Sequence, residues 1–179
     1  MVDWPQLNDT KQISYNALKP SIRAFRAEFN GTSTTDGSYT VIGTHVFQAG
    51  EMQANDVVKV VAEAMSTRGG NDSFTLRIII DDGTNTNNYD VSCGTTGTVN
   101  TTYFIEGKFG QNPNTTTNQY GFITYQHVDA AMAEVRGSNT CIANFLTKQL
   151  TVTVSIQNAF AGQNSFARVM VFKLRNYYN

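Results

Sequence analysis

His45 and His127 are the two histidines of this chain, and Cys93 and Cys141 are its two cysteines. A thiol beside an imidazole is a minimal nucleophilic pair, because the imidazole takes the proton that keeps sulfur unreactive. All four residues lie far apart in sequence, and each histidine sits inside a strand-like stretch. Strand or core positions are therefore the plainer reading, and no catalytic residue is expected. The cysteines show neither CxxC spacing nor an adjacent histidine, so two buried free thiols made in a reducing cytoplasm are expected. A disulfide between them stays open, since sequence does not set the distance between two sulfurs. GxSxG, HExxH and P-loop motifs are absent from the sequence.

The stretch "IDDGTNTNNYD" (80–90) gathers Asp81, Asp82, Asn85, Asn87, Asn88 and Asp90. These are hard oxygen donors of the kind calcium takes. Gly83 comes too early for the calcium-loop pattern, so a solvated hairpin loop is expected, with no metal and no cofactor. Spacing alone does not choose a pair of glycosidase carboxylates among 14 acidic residues.

"FGQNPNTTTNQYG" (109–121) is uncharged and rich in amide and hydroxyl groups. Phe109, Tyr120 and Tyr125 stand at or near its ends. Aromatic faces beside such groups suit a sugar or a wet protein contact. Asn112, Asn114, Asn118 and Tyr120 are accordingly the candidate receptor or surface-loop residues, with a plain exposed loop as the simpler alternative. A second candidate surface is the first twenty residues. Val2, Trp4, Leu7, Ile13, Tyr15 and Leu18 are too many apolar side chains for a freely solvated tail. The segment reads as an extended arm that lies against its own domain or a partner, with Trp4, Leu7, Ile13 and Tyr15 as the candidate contacts.

Composition narrows the classes. The chain has 179 residues, 40% hydrophobic and 15% charged, with a formal net charge of −1. That is enough for one domain with a real core and no need of metals or disulfides. The balance of charge, with no basic run, argues against nucleic acid as a partner. No stretch approaches the roughly 18 apolar residues of a membrane helix, and the start lacks the apolar core of a signal peptide. No membrane partner is expected. Five Asn-x-Ser/Thr sequons begin at Asn8, Asn30, Asn71, Asn100 and Asn114. In a chain this rich in Asn and Thr they arise by chance.

The elements that must position these residues read as strands. "SIRAFRAEF" (21–29) ends at the turn-rich "NGTSTTDGS", and "YTVIGTHVF" (39–47) follows. "SFTLRIIIDD" (73–82), "YDVSC" (89–93), "VNTTYFIEGKF" (99–109), "QYGFITYQHV" (119–128), "LTVTVSIQN" (150–158) and "SFARVMVFKL" (165–174) continue the series. Between them lie clusters of Gly, Asn, Asp and Ser. "QANDVVKVVAEAM" (53–65) fits both a helix face and an alternating strand. Four valines in five residues lose rotamer freedom in a helix but fit a pleated sheet, so 56–67 is expected to be a strand. "VDAAMAEVRG" (128–137) carries Asp129 as N-cap, helical spacing and a closing Gly137; helix and strand both stay open there. About nine runs with turn signals at short spacing describe a β-sandwich or jelly roll.

"FLTKQLTVTVSIQNAFAGQNSFARVMVFKL" (145–174) resembles the closing hairpin of a jelly-roll domain found in many tailed-phage virion proteins. "FQAGEMQANDVVKVVAEA" (47–64) is similar to that domain's early motif, where a strand leads through a short loop and an Asp into an apolar strand. The order and spacing of these anchors cover most of residues 39–174, while the arm and the "GQNPNTTTN" loop lie outside the pattern. The resemblance implies an all-β protein with a single jelly-roll β-sandwich, placed over 21–179, to which the residues of 1–20 add the extended N-terminal arm. It implies a structural or attachment role on a virus particle without choosing head, tail or fibre. Taken with the missing catalytic motifs, the expected protein is a capsid decoration (auxiliary), head-fibre or attachment component assembled in the host cytoplasm, not an enzyme. Other virion proteins of the capsid or tail are the implied partners, with a homo-oligomer, a trimer by analogy. The alternative is a carbohydrate-binding module of a tail or fibre that recognises a host glycan.

Overall fold

The valines of "DVVKVV" do settle into a strand, Asp56–Ser66, and the other described elements are strands too. The computed structural model describes residues 22–33, 37–54, 56–66, 73–94, 102–111, 119–127, 140–160 and 163–175. For 22–25, 111, 119–127 and 140 it describes the backbone alone. Among the described residues there are ten strands and no helix: β1 (Ile22–Ser33), β2 (Thr40–Phe47), β3 (Asp56–Ser66), β4 (Ser73–Asp81), β5 (Thr86–Gly94), β6 (Thr102–Gln111), β7 (Gln119–His127), β8 (Thr140–Cys141), β9 (Leu150–Asn158) and β10 (Ser165–Arg175).

Every pairing is antiparallel, and the pairs are nested. β4 pairs with β5, β3 with β6, β2 with β9 and β1 with β10. This is one long hairpin rolled over on itself. The roll closes into a six-stranded sheet, β1-β10-β3-β6-β7-β8, facing a four-stranded sheet, β2-β9-β4-β5. That wiring makes the protein an all-β jelly roll. β7 and β8 are an excursion between β6 and β9 that widens the first sheet.

The alternation legible in the sequence becomes the core. Val58, Val60, Ala62 and Ala64 of β3 face Leu76, Ile78 and Ile80 of β4 and Val152, Val154 and Ile156 of β9, all fully buried in one cluster. At one edge the sheets meet closely: a Cβ on Gly43 of β2 would lie 2.1 Å from the Phe29 ring of β1. At the other edge residues 141–148 close the gap. Cys141, Ala143 and Phe145 bury into the same cluster, while the Ile142 N–H donates to Asn87 Oδ1 at 3.0 Å.

Two boundaries differ from the sequence reading. β1 runs through Asn30-Gly31-Thr32-Ser33, expected as loop, because Thr32 and Ser33 pair with Phe166 and Ser165. β5 starts at Thr86, inside the expected donor loop, because 86–88 complete the ladder with Asp81–Ile79. The helix-or-strand question at 128–136 lies outside the described residues, as does the arm over 1–20.

Candidate binding surface

A sandwich buries its inner faces, so any function falls to its outer faces, edges and loop ends. The two outer faces differ in the size of their apolar side chains. On β3 the residues that alternate with the core are Val57, Lys59, Val61, Glu63 and Met65; on β10 they are Phe166, Arg168, Met170, Phe172 and Leu174; on β6, Thr102, Phe104, Glu106 and Lys108. Register sets Met65 beside Phe166, Val61 beside Met170 and Val57 beside Leu174. Val57 and Phe172 are only 4% and 6% exposed although neither belongs to the core cluster. Phe104 is 47% exposed. The charges within this apolar field pair among themselves. Arg168 meets Glu28 at 2.7 Å, and Glu106 meets Lys59 at 2.5 Å and Lys108 at 2.9 Å.

The outer face of the four-stranded sheet is mostly polar, with Val41, 60% exposed, Val46 and Ile79 set among hydroxyls and charges. Thr44 Oγ1 and Thr153 Oγ1 lie 3.1 Å apart. Arg77 of β4 holds Asp90 of β5 through two bonds, 2.6 and 2.7 Å. The Arg77 guanidinium also lies 3.9 Å from the centre of the Tyr39 ring, and the Tyr39 hydroxyl donates to Asp90 at 3.4 Å. Burial and the nearby Asp90 carboxylate raise the Tyr39 phenol above its ordinary range. Cation–π and bidentate contacts together fix one arginine fork. The result is a rigid polar platform rather than a pocket.

One end of the sandwich is tied by two shielded carboxylates. Asp82 Oδ1 accepts the N–H groups of Thr84 and Asn85, both at 2.8 Å. Its Oδ2 accepts Asn85 Nδ2 at 3.1 Å and the Asn144 N–H at 2.6 Å. Lys148 Nζ stands 3.5 Å away. Burial alone would raise this carboxyl, but the N–H donors of Asn144, Asn85 and Thr84 outweigh it and hold the group well below the carboxylate range. Asp56 is likewise shielded, between Lys173 Nζ at 3.0 Å and Arg175 Nε at 3.2 Å. Its Oδ2 accepts the Gln53 N–H at 2.9 Å. These acids fasten the β4–β5 and β2–β3 connections; their oxygens are engaged by donors from the chain itself. At the opposite end Asn158 Nδ2 donates to the Ser33 and Gln163 carbonyls at 2.9 and 2.8 Å. Gln163 Nε2 donates to Ser66 Oγ at 3.0 Å, so the β9–β10 turn is plugged by buried amides.

Among the described side chains, His45 meets neither cysteine. His45 stands in β2 with its ring edge-on to Phe47 at 4.6 Å. Burial depresses its basicity, with Glu51 opposing and Arg26 reinforcing the shift. Its row runs across the sheet through Val152 and Ile80 to Asn87. Asn87 contacts Cys141 Sγ at 3.6 Å, three strand spacings or about 14 Å from His45. Cys93 lies six residues further along β5, about 20 Å. Both cysteines are free and buried; burial raises both thiols, that of Cys93 above any physiological range. The open disulfide question thus resolves to two separate thiols.

Of the expected surface residues, Trp4, Leu7, Ile13 and Tyr15 lie outside the described residues, as do Asn112, Asn114 and Asn118. Tyr120 is described in backbone, opposite Gly110. His127 is described in the same way, opposite Tyr103. Asp82 entered the sequence reading only as a calcium donor. Its role as a clamp depends on Asn144, and no local signal joins the two. The apolar outer face was legible in principle, because β3 and β10 carry large apolar residues at both parities.

No protein-family model matches this chain, and no curated protein matches it. Among solved structures it is similar to an endo-β-1,4-glucuronan lyase from the fungus Trichoderma reesei, with 10% identity and a TM-score of 0.39 over 90% of each chain. It is also similar to infectious bursal disease virus, Gx strain, with 13% identity and a TM-score of 0.30. That match covers 87% of this chain and 42% of the other. Likenesses at these scores carry no argument here; the fold rests on the strand pairing.

Proposed function

We propose that this protein is a structural component of a bacteriophage particle, a capsid decoration (auxiliary) or head-fibre protein that works by binding other virion proteins. The observation that carries the reading is the outer face of the six-stranded sheet, which bears Phe104, Met65, Phe166, Met170 and Leu174 among paired charges, while the other outer face is mostly hydroxyl and amide. A soluble sandwich gains nothing from an apolar outer face unless something covers it. The nested strand order, taken with the resemblance of 145–174 to the closing hairpin of phage jelly rolls, supports the same class. In this reading residues 1–20 form a docking arm and residues 21–179 the rigid domain.

Co-sedimentation with particles lacking the native copy tests it. Full-length protein is expected to bind; deleting residues 2–18, or Trp4→Ala alone, is expected to weaken binding at matched stability, since large aromatics often anchor interfaces. Failure of the full-length protein to bind any particle component would refute the reading.

The rival reading is a glycan-binding module. The hydroxyl-rich outer face of the four-stranded sheet, with Tyr39, Arg77 and Asp90 held rigid, is what favours it. Binding on a glycan array that is lost in Arg77→Ala or Tyr120→Ala would replace the first reading with this one.

A further inference from the structure

We infer that the β9–β10 end of the sandwich is a binding site for one sealed water molecule. The water donates to Asn158 Oδ1 and Gln163 Oε1 and accepts from the Ser165 hydroxyl. The site lies inside the sandwich and does not depend on the function proposed above.

The residues that build it close into a ring. Asn158, the last residue of β9, donates through Nδ2 to the Ser33 carbonyl at 2.9 Å and to the Gln163 carbonyl at 2.8 Å. Gln163 Nε2 donates to Ser66 Oγ at 3.0 Å. Ser66 ends β3 beside Ser165 of β10, and Ser165 stands beside Ser33 of β1. Paired residues on one face of an antiparallel ladder keep their Cβ atoms about 4.5–5.5 Å apart, so the three serines form a row of hydroxyls across the six-stranded sheet. Ser33, Ser66, Asn158, Gln163 and Ser165 are each no more than 1% exposed. The inward positions that hold Ala64, Ala167 and Ile156 further along the strands are taken here by Ser66, Ser165 and Asn158.

Three oxygens of the ring have no hydrogen-bond partner among the described residues: Asn158 Oδ1, Gln163 Oε1 and Ser165 Oγ. Buried polar atoms are costly to leave unmet, and native proteins rarely gather three of them in one place. The nearby backbone donors are engaged elsewhere. Gly37 N–H goes to the Asn158 carbonyl, Ala159 N–H to the Ser73 carbonyl and Gln163 N–H to the Phe160 carbonyl. Turning the Asn158 amide over would set its oxygen against two carbonyls. Turning over the Gln163 amide exchanges a free acceptor for a free donor and leaves the same unmet bond.

The chemistry selects a neutral ligand. The shielded carboxylates Asp56 and Asp82 belong to the other end: Asp56 pairs with Arg175 at the far end of the β3–β10 ladder, and Asp82 follows Asp81, which pairs with Thr151 at the far end of β9. A cation among these amides and hydroxyls would be buried without a counter-charge. Two amide oxygens and one hydroxyl match the two donors and the acceptor of water, and about three bonds are what a buried water makes. Such a water joins Asn158 of one sheet to Ser165 of the other.

The test is oxygen-17 relaxation dispersion on the full-length protein, which counts long-lived waters and ignores exchanging hydroxyl protons. Gln163→Met keeps the length of the side chain and removes its oxygen. Its dispersion amplitude is expected to be smaller than that of the wild type by one water. Should that variant fail to fold, a crystal structure of the wild type decides, with a water expected within hydrogen-bond distance of all three oxygens. An equal water count in the folded variant overturns the proposal. So does a wild-type crystal structure in which donors of the chain itself meet these oxygens. A melting temperature that rises in sodium or potassium chloride over equal tetramethylammonium chloride overturns it as well, by making the ligand a cation.

Discussion

The Asp82 carboxylate, one residue past the end of β4, accepts the backbone N–H of Asn144 at 2.6 Å, 62 positions further along the chain. With Thr84 and Asn85 bonded to its other oxygen, one side chain shapes a turn and anchors the strap that closes the sandwich edge. Asp82→Asn puts an NH₂ where N–H donors already point. The expected loss is roughly 2–4 kcal/mol, the cost of stranding buried partners of a carboxylate, measurable by urea denaturation.

Acid should reproduce that loss in the native sequence. The folded-state carboxyl of Asp82 is held below its unfolded value of about 3.9. Its contribution is therefore complete above that pH and disappears as pH falls toward and through the folded value. The stability gap between wild type and Asp82→Asn is expected to narrow from neutral pH to pH about 3. A gap that stays constant would show that the carboxylate's charge is irrelevant to the clamp.

Chelation offers an independent check on the same turn. Asp82 is saturated by donors from Thr84, Asn85 and Asn144, so the 80–90 stretch has no spare carboxylate at its centre for calcium. A bound ion would stabilise the fold by mass action. The melting temperature is expected to be the same with calcium and with a chelator.

Gly43 is expected to reject any side chain. A Cβ there would stand 2.1 Å from Phe29, and the ring would have to leave its place over the β1–β2 edge. Gly43→Ala should cost about 1–3 kcal/mol, the usual range for overpacking, against the small gain that alanine brings in a strand. Phe29→Ala in the same molecule is expected to recover much of that loss. A simple sum of the two single effects would disprove the contact.

Cys93 and Cys141 are expected to react with a thiol reagent only as fast as the fold opens, because burial raises both thiols and shields them. Stopped-flow labelling in native buffer and in denaturant measures this directly. Mild oxidation is expected to leave no intramolecular disulfide, since the two sulfurs sit at different heights along β5.

Strand identity was written locally. In "SFTLRIIID" and "LTVTVSIQN" the alternation of apolar and polar residues is a property of neighbours two positions apart, and a pleated strand has that same period. The valines of β3 excluded a helix for an equally local reason, the crowding of branched side chains. Turn clusters such as "GEMQAN" placed most of the remaining boundaries within a residue or two. The fold class was legible because every one of these signals is short-range.

What joins Asp82 to Asn144, Arg77 to Tyr39, or Phe29 to Gly43 is separation in sequence closed by the roll of the sheet. No local pattern encodes such a meeting. Asp82 read as a metal donor because its type was visible and its partners were not, and Cys93 and Cys141 stayed ambiguous because only strand register gives the distance between them. The apolar residues at both parities of β3 and β10 were likewise present in the sequence. Only pairing in register turned them into one surface, because a face exists when strands stand side by side about 4.8 Å apart.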